Sequence, residues 1–170
     1  YIGLSLATPV PICLPRMSLI ADRKMPAHTL FQSLQLVTDQ TKPAISAPGR
    51  PDLSHAALSQ LCQTTVDSLN GFGIGRNDRG AIVLPNGPEM ATAFIAVACG
   101  ATTAPLNPAY RQDEFKFYLD DLKARALIVE VGSESPAVAA ARELGIPLVE
   151  LDVVGDAAAG DFSLKAPSLS

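Results

Sequence analysis

The chain holds 170 residues, of which 48% are hydrophobic and 18% charged, with a formal net charge of −4. One domain of ordinary size fits that length, and so apolar a composition excludes wholesale disorder. No nucleic-acid partner is expected, because neutralising phosphates takes a basic face and acidic residues outnumber basic ones, 17 to 13.

In chain order, the first residue is Tyr1 and not Met, so the expectation is a fragment or a gene-model artefact. Residues 1–27 read as an unstructured leader, untranslated up to about Met17 or Met25, with a transit peptide as the alternative. A secretory signal peptide does not fit. Pro9, Pro11 and Pro15 interrupt any helix, and Arg16, Arg23 and Lys24 follow the apolar run instead of preceding it.

Residues 28–154 carry alternating elements. Ser54 is an N-cap candidate, and Leu58, Leu61, Cys62, Val66 and Leu69 recur after it at helical spacing, with Gly71 or Gly73 as a stop. Ala81-Ile82-Val83-Leu84 is a continuous apolar run, the pattern of a central strand covered on both faces. Asn86-Gly87-Pro88 supplies a cap and a first-turn proline for a helix with Met90, Phe94 and Ile95. Thr102 to Leu106 reads as another buried strand, and Phe115, Tyr118, Leu119 and Leu122 form a helical stripe after the acidic turn Asp113-Glu114. Ala126 to Val131 is a third strand, Ser135-Pro136 opens a helix to about Leu144, and Pro147 to Leu151 is a fourth strand. This alternation predicts an α/β fold, a layered and mostly parallel sheet with helices on both faces and right-handed crossovers. Residues 155–170 have no period and read as a linker or a truncated end.

Cys13, Cys62 and Cys99 are odd in number and lack a C-x-x-C pair, which fits reduced thiols in an intracellular compartment. No metal site is assigned, since His28 and His55 have no Cys at zinc-ligand spacing. No membrane span is assigned either. The uncharged stretch Met90 to Tyr110 is broken by Pro105, Asn107 and Pro108 into a helix and a strand.

Several short motifs imitate chemistry. Gly71-Phe72-Gly73-Ile74-Gly75 ends a helix and precedes a strand, the reverse of a dinucleotide loop, so it reads as a helix C-cap. Gly75 and Gly80 have Walker A spacing, but Ala81-Ile82 replace the lysine and hydroxyl, which leaves Asp78-Arg79 as turn residues. His55 and Cys62 lie seven residues apart on one helix, about 10 Å along its axis, so they cannot form a nucleophilic pair. His55 is then a surface residue of the first turn. Asp113-Glu114 and Asp120-Asp121 point about 100° apart on a helix and read as solvated faces. The turn Pro85-Asn86-Gly87-Pro88-Glu89 stands out, because it lies at the carboxyl end of a strand and the start of a helix, where open α/β sheets bind ligands.

That turn, the helix with Phe94-Ile95-Ala96 and Gly100-Ala101, and the block Ala104-Pro105-Leu106-Asn107-Pro108-Ala109-Tyr110 leading to Glu114 resemble the amino-terminal subdomain of the adenylate-forming acyl-CoA synthetases. Upstream, Pro43-Ala44-Ile45 as a first strand and Gly73-Ile74-Gly75 before Asp78-Arg79 look similar too, and the resemblance covers about residues 28–152. Within that family the branch it looks most like is the oxalate–CoA or 4-coumarate–CoA ligases.

The resemblance implies a parent enzyme that joins a carboxylic acid to coenzyme A, first as an acyl-adenylate made from ATP and then as a thioester. It implies ATP, Mg²⁺ and coenzyme A as cofactors, with a small carboxylic acid and the remainder of the same enzyme as partners. Such an enzyme needs a Thr/Ser/Gly-rich loop with a lysine for the phosphates, a carboxylate for Mg²⁺ or the ribose, and a mobile carboxy-terminal lysine. None of these motifs is found in the sequence. Ala101-Thr102-Thr103-Ala104 lacks the Ser/Gly surround and the lysine, and in the family the phosphate loop follows soon after a segment like the one ending at Ser170. No catalytic residue is therefore assigned, and cofactor-binding residues are unknown. The chain by itself is expected to be inactive and to hold none of these cofactors tightly. Tyr110 and Arg111 could approach coenzyme A or a neighbouring domain, or simply lead into a helix. A stand-alone α/β nucleotide-binding or regulatory module is the alternative. Cytoplasm and peroxisome both suit the thiols.

Overall fold

The computed structural model describes residues 29–153 and 155–167. The leader reading of residues 1–27, together with Cys13 and His28, lies outside the described residues. A short helix α1 (Leu30–Gln35) and two brief strands, β1 (Pro43–Ile45) and β2 (Leu53–Ser54), come first. The regular part follows as α2 (His55–Gly71), β3 (Arg79–Val83), α3 (Pro88–Ala98), β4 (Thr102–Pro105), α4 (Gln112–Asp121), β5 (Ala126–Glu130), α5 (Pro136–Glu143), β6 (Leu148–Asp152) and β7 (Ser163–Lys165).

Local chemistry sets these boundaries. The Ser54 hydroxyl accepts from the Ala57 N–H at 3.2 Å and opens α2. Three helices then end in the same way. After α2 the Gly73 N–H bonds Asn70 O and the Ile74 N–H bonds Leu69 O, the paired closure of a Schellman motif. The same two bonds recur after α4, at Lys123 and Ala124, and after α5, at Gly145 and Ile146. Each turn delivers the chain to the amino end of the next strand. α3 departs from the pattern, since the Gly100 and Ala101 N–H groups both bond Val97 O; at its start the cap is the Gly87 backbone with Pro88 in the first turn and no side-chain bond.

β1 and β2 form a small antiparallel sheet, and the other strands form one sheet in the order β4-β3-β5-β6-β7. Pairings are parallel except β6 with β7. Side chains alternate between two cores. Ile82, Ile128, Val149 and Leu151 pack with Leu58, Leu61, Cys62, Leu69, Ala93 and Val97 of α2 and α3. Ala81, Val83, Leu127 and Val129 pack with Phe115, Leu119, Ala137, Ala140 and Ala141 of α4 and α5. The mostly parallel sheet with helices on both faces, and the doubly covered strand at Ala81–Leu84, are as the sequence predicts.

Three expectations change. β4 is an edge strand with half-exposed residues and not a buried one, because the chain returns across β3 to place β5 on its other side. Residues 155–167 are not a loose linker: they carry β7, and Ala159, Phe162 and Ala166 are buried. Their burial falls on isolated small or aromatic residues between turns, so no period betrays it. His55 is half-buried, with its Nδ1 shut away and unpartnered, because the loop before it wraps the helix start through the His55 N–H to Lys42 O bond.

Candidate functional site

β3 connects through α3 to β4 on one side, while β5 lies on the other, so the loops leaving β3 and β5 diverge at the carboxyl edge of the sheet. This is the topological switch point, where open α/β sheets bind ligands. A cavity of about 160 Å³ opens there between Leu84 and Pro85 of one loop and Ser133, Ser135 and Pro136 of the other, with Pro108 beside them. The hydroxyls are already engaged within their own loop. Ser133 Oγ accepts from the Ser135 N–H at 3.3 Å, and Ser135 Oγ accepts from the Ala137 N–H at 3.2 Å.

The other half of the turn singled out by sequence, Gly87-Pro88-Glu89, faces residues 155–160. Glu89 is ion-paired with Arg50 and also accepts from the Gly160 N–H at 3.3 Å. Arg50 in turn donates to Ala158 O at 2.9 Å and Ala157 O at 3.3 Å. Thr92 Oγ1 donates to Gly160 O at 2.6 Å, and the Ala159 N–H bonds Pro51 O at 2.8 Å. The side chains of Arg50 and Glu89 are only 22% and 16% exposed, which strengthens their attraction over that of a surface pair. Burial by itself raises the Glu89 pKa, but the Arg50 hydrogen bond, with help from backbone N–H groups including that of Gly160, holds the carboxyl below its ordinary 4.5.

Gly160 is required by this clasp. Its φ is +82°, and a Cβ there would lie 2.6 Å from Thr92 Cγ2 and 2.9 Å from Pro88 O. The positive end of α3 is thus answered by a carboxylate of the protein itself, Glu89 in its first turn. Sequence reasoning found Glu89 but missed Arg50, Thr92 and Gly160. Arg50 and Glu89 are 39 residues apart, and Arg50 and Ala158 are 108 apart, so no local spacing connects them.

The remaining candidate residues fall into structural positions. Tyr110 stacks on Tyr118 with ring centroids 5.1 Å apart and meets Phe115 edge-on at 5.8 Å. The Arg111 N–H donates to Glu114 Oε2 at 2.8 Å, so both residues lead the chain into α4. Asp78 Oδ2 accepts from the Gly75 N–H at 2.9 Å and shapes the turn before β3. Asp120 pairs with Lys123 at 2.9 Å on an exposed face. Cys62 is fully buried in the apolar stripe of α2. Among the described residues, no three His, Cys, Asp or Glu are placed to hold a metal ion, and no helix is long and apolar enough to cross a membrane.

Comparison with known proteins agrees with the resemblance drawn from sequence. A probable CoA ligase of Humulus lupulus is 37% identical over 113 residues, which is 66% of this chain and 22% of that protein. An oxalate–CoA ligase of Arabidopsis thaliana is 38% identical over 105 residues, 61% of this chain and 20% of its own length. The chain therefore spans about a fifth of the curated relatives it matches. Crystal structures of MatB from Rhodopseudomonas palustris, apo and ATP-bound, share the fold with a TM-score of 0.65 at 23% identity, over 73% of this chain and 25% of theirs. The family described as AMP-binding enzyme matches residues 35–167, most of the sequence, and the chain belongs to that family.

Proposed function

We propose that this chain is the amino-terminal portion of an ATP-dependent carboxylic acid–CoA ligase, and that it frames the active site without supplying its catalytic groups. The family match over residues 35–167, combined with CoA-ligase relatives some five times longer than the matched segment, carries the reading. It also favours the ligase over a stand-alone nucleotide-binding module. ATP is the nucleotide the family implies; Mg²⁺, coenzyme A and a small carboxylic acid belong to the same proposal. A cytoplasmic or peroxisomal setting suits the thiols.

The cavity between the β3 and β5 loops is too small to hold a nucleotide by itself. The switch-point cavity of about 160 Å³ is below the roughly 300–1,000 Å³ of ligand pockets, and Glu89 already occupies the α3 amino end. What these residues do is positional. The sheet edge holds the β3–α3 and β5–α5 turns open toward a neighbour, and the Arg50–Glu89 clasp fixes the chain on its way into β7. In the family that chain continues toward the phosphate loop, so the clasp sets its direction.

ATP–pyrophosphate exchange with the purified 170-residue chain, run with short and aromatic acids beside a nucleotide titration, tests this reading. The expected result is no acid-dependent exchange and no saturable nucleotide binding. Acid-dependent exchange, or tight nucleotide binding by the chain alone, would overturn it.

A further inference from the structure

The backbone just after α3 packs tightly on a side chain of α2. A Cβ at Gly100 would lie 2.8 Å from Val66 Cγ2, so only glycine fits at that crossing. Cys62 lies one helical turn before Val66 on the same face of α2, and Cys99 immediately precedes Gly100. The crossing therefore brings the two free thiols into one apolar cluster, Cys62 within it and Cys99 packed against it. Cys62 is fully buried, whereas Cys99 is half-buried and lines a cavity of about 410 Å³ with Arg76, Asn77 and Thr102.

We infer that Cys62 and Cys99 form a hydroperoxide-responsive pair, in which Cys99 is oxidised first and Cys62 then closes a disulfide between α2 and α3. The inference stands on the thiols and does not depend on the ligase reading. Exposure assigns the roles, because peroxide reaches Cys99 from the cavity while Cys62 is closed off in the core. Interaction with Cys99, together with burial, pushes the Cys62 pKa far up, while interaction with Cys62 draws the Cys99 pKa below its ordinary 9.0 against the opposing effect of burial. The carboxyl end of α3 disfavours a thiolate at Cys99, and the interaction with Cys62 opposes that effect.

In the first step the Cys99 thiolate attacks the peroxide: a sulfur–oxygen bond forms, the oxygen–oxygen bond breaks, and the leaving hydroxide takes a proton to become water. In the second, the Cys62 sulfur attacks the Cys99 sulfenic acid: the sulfur–sulfur bond forms, the sulfur–oxygen bond breaks, and the hydroxyl leaves as water with the Cys62 proton. Two thiols are oxidised and one hydrogen peroxide is reduced to two waters.

The test treats the folded 170-residue chain, carrying Cys13→Ser to remove the third thiol, with hydrogen peroxide, blocks free thiols with iodoacetamide and maps peptides by mass spectrometry. The expected product is a Cys62–Cys99 linked peptide, two hydrogens lighter than its parts. In Cys62→Ala, dimedone should trap a sulfenic acid on Cys99, and in Cys99→Ala, Cys62 should stay unoxidised. Peptide mapping of the Cys13→Ser chain decides the matter without the cavity-forming variants. Cys62 and Cys99 remaining separately alkylatable after peroxide, or dimedone labelling Cys62 in Cys99→Ala, would overturn the inference.

Discussion

The unit running from α4 through β5 and α5 to β6 is held chiefly by apolar packing, with Phe115, Leu119, Leu127, Val129 and three alanines of α5 closed into one cluster. Residues 155–160, by contrast, are held by polar bonds to Arg50, Glu89 and Thr92, reaching across as many as 108 residues of sequence. The first region follows from a local recipe of cap, apolar run and left-handed turn. The second depends on the rest of the fold being in place before any of its bonds can form. The difference teaches that a polar clasp, not hydrophobic periodicity, secures the segment packed on the amino end of α3.

Substitutions can break or sharpen this contrast. The largest effect belongs to the apolar unit: Phe115→Ala removes a fully buried ring and should cost about 3–5 kcal/mol in urea unfolding. Next comes the clasp. Gly160→Ala forces a Cβ against Thr92 and the Pro88 carbonyl in a left-handed conformation, with an expected loss of about 2–3 kcal/mol. Hydrogen exchange should show the loss concentrated at Ala159 to Lys165, whereas Phe115→Ala weakens the α4–α5 side. A uniform loss in Gly160→Ala would remove the contrast.

Arg50→Ala should cost about 2 kcal/mol, and a double-mutant cycle with Glu89→Gln should return a coupling of about 1 kcal/mol or more. The same pair sets a pH dependence. Because the folded-state pKa of Glu89 is lowered, its contribution is complete above the ordinary value of 4.5 and is lost as pH falls through the folded value. Unfolding midpoints measured at neutral and acid pH should converge between the parent chain and Glu89→Gln as pH drops below 4.5. The smallest effect is a gain. Lys123 holds φ +50° where α2 and α5 use glycine, so Lys123→Gly should stabilise by up to about 1 kcal/mol in the same unfolding assay, less the exposed Asp120 pair.

The contrast also explains what was legible in the sequence. β3, β5 and β6 announced themselves as apolar runs, and the helices through Ser54, Pro88 and Ser135, because caps and continuous burial are local signals. The edge position of β4 was not visible, since Thr-Thr-Ala-Pro suits either a covered or an open strand. β7 was missed because three residues are too few for a period, and its support is the pairing with β6, far along the chain from the clasp residues Arg50 and Glu89 that hold the segment before it. The turn Pro85 to Glu89 was found from its place between strand and helix, but its partners were not, and neither was the meeting of Cys62 with Cys99.

The most direct test of the account is a chimera in which residues 35–167 replace the matching segment of the Arabidopsis oxalate–CoA ligase, assayed for ATP- and CoA-dependent thioester formation after its fold is checked by thermal unfolding. Retained thioester formation, weakened by Arg50→Ala within the chimera, is the predicted result. A cooperatively folded chimera that forms neither adenylate nor thioester would contradict it.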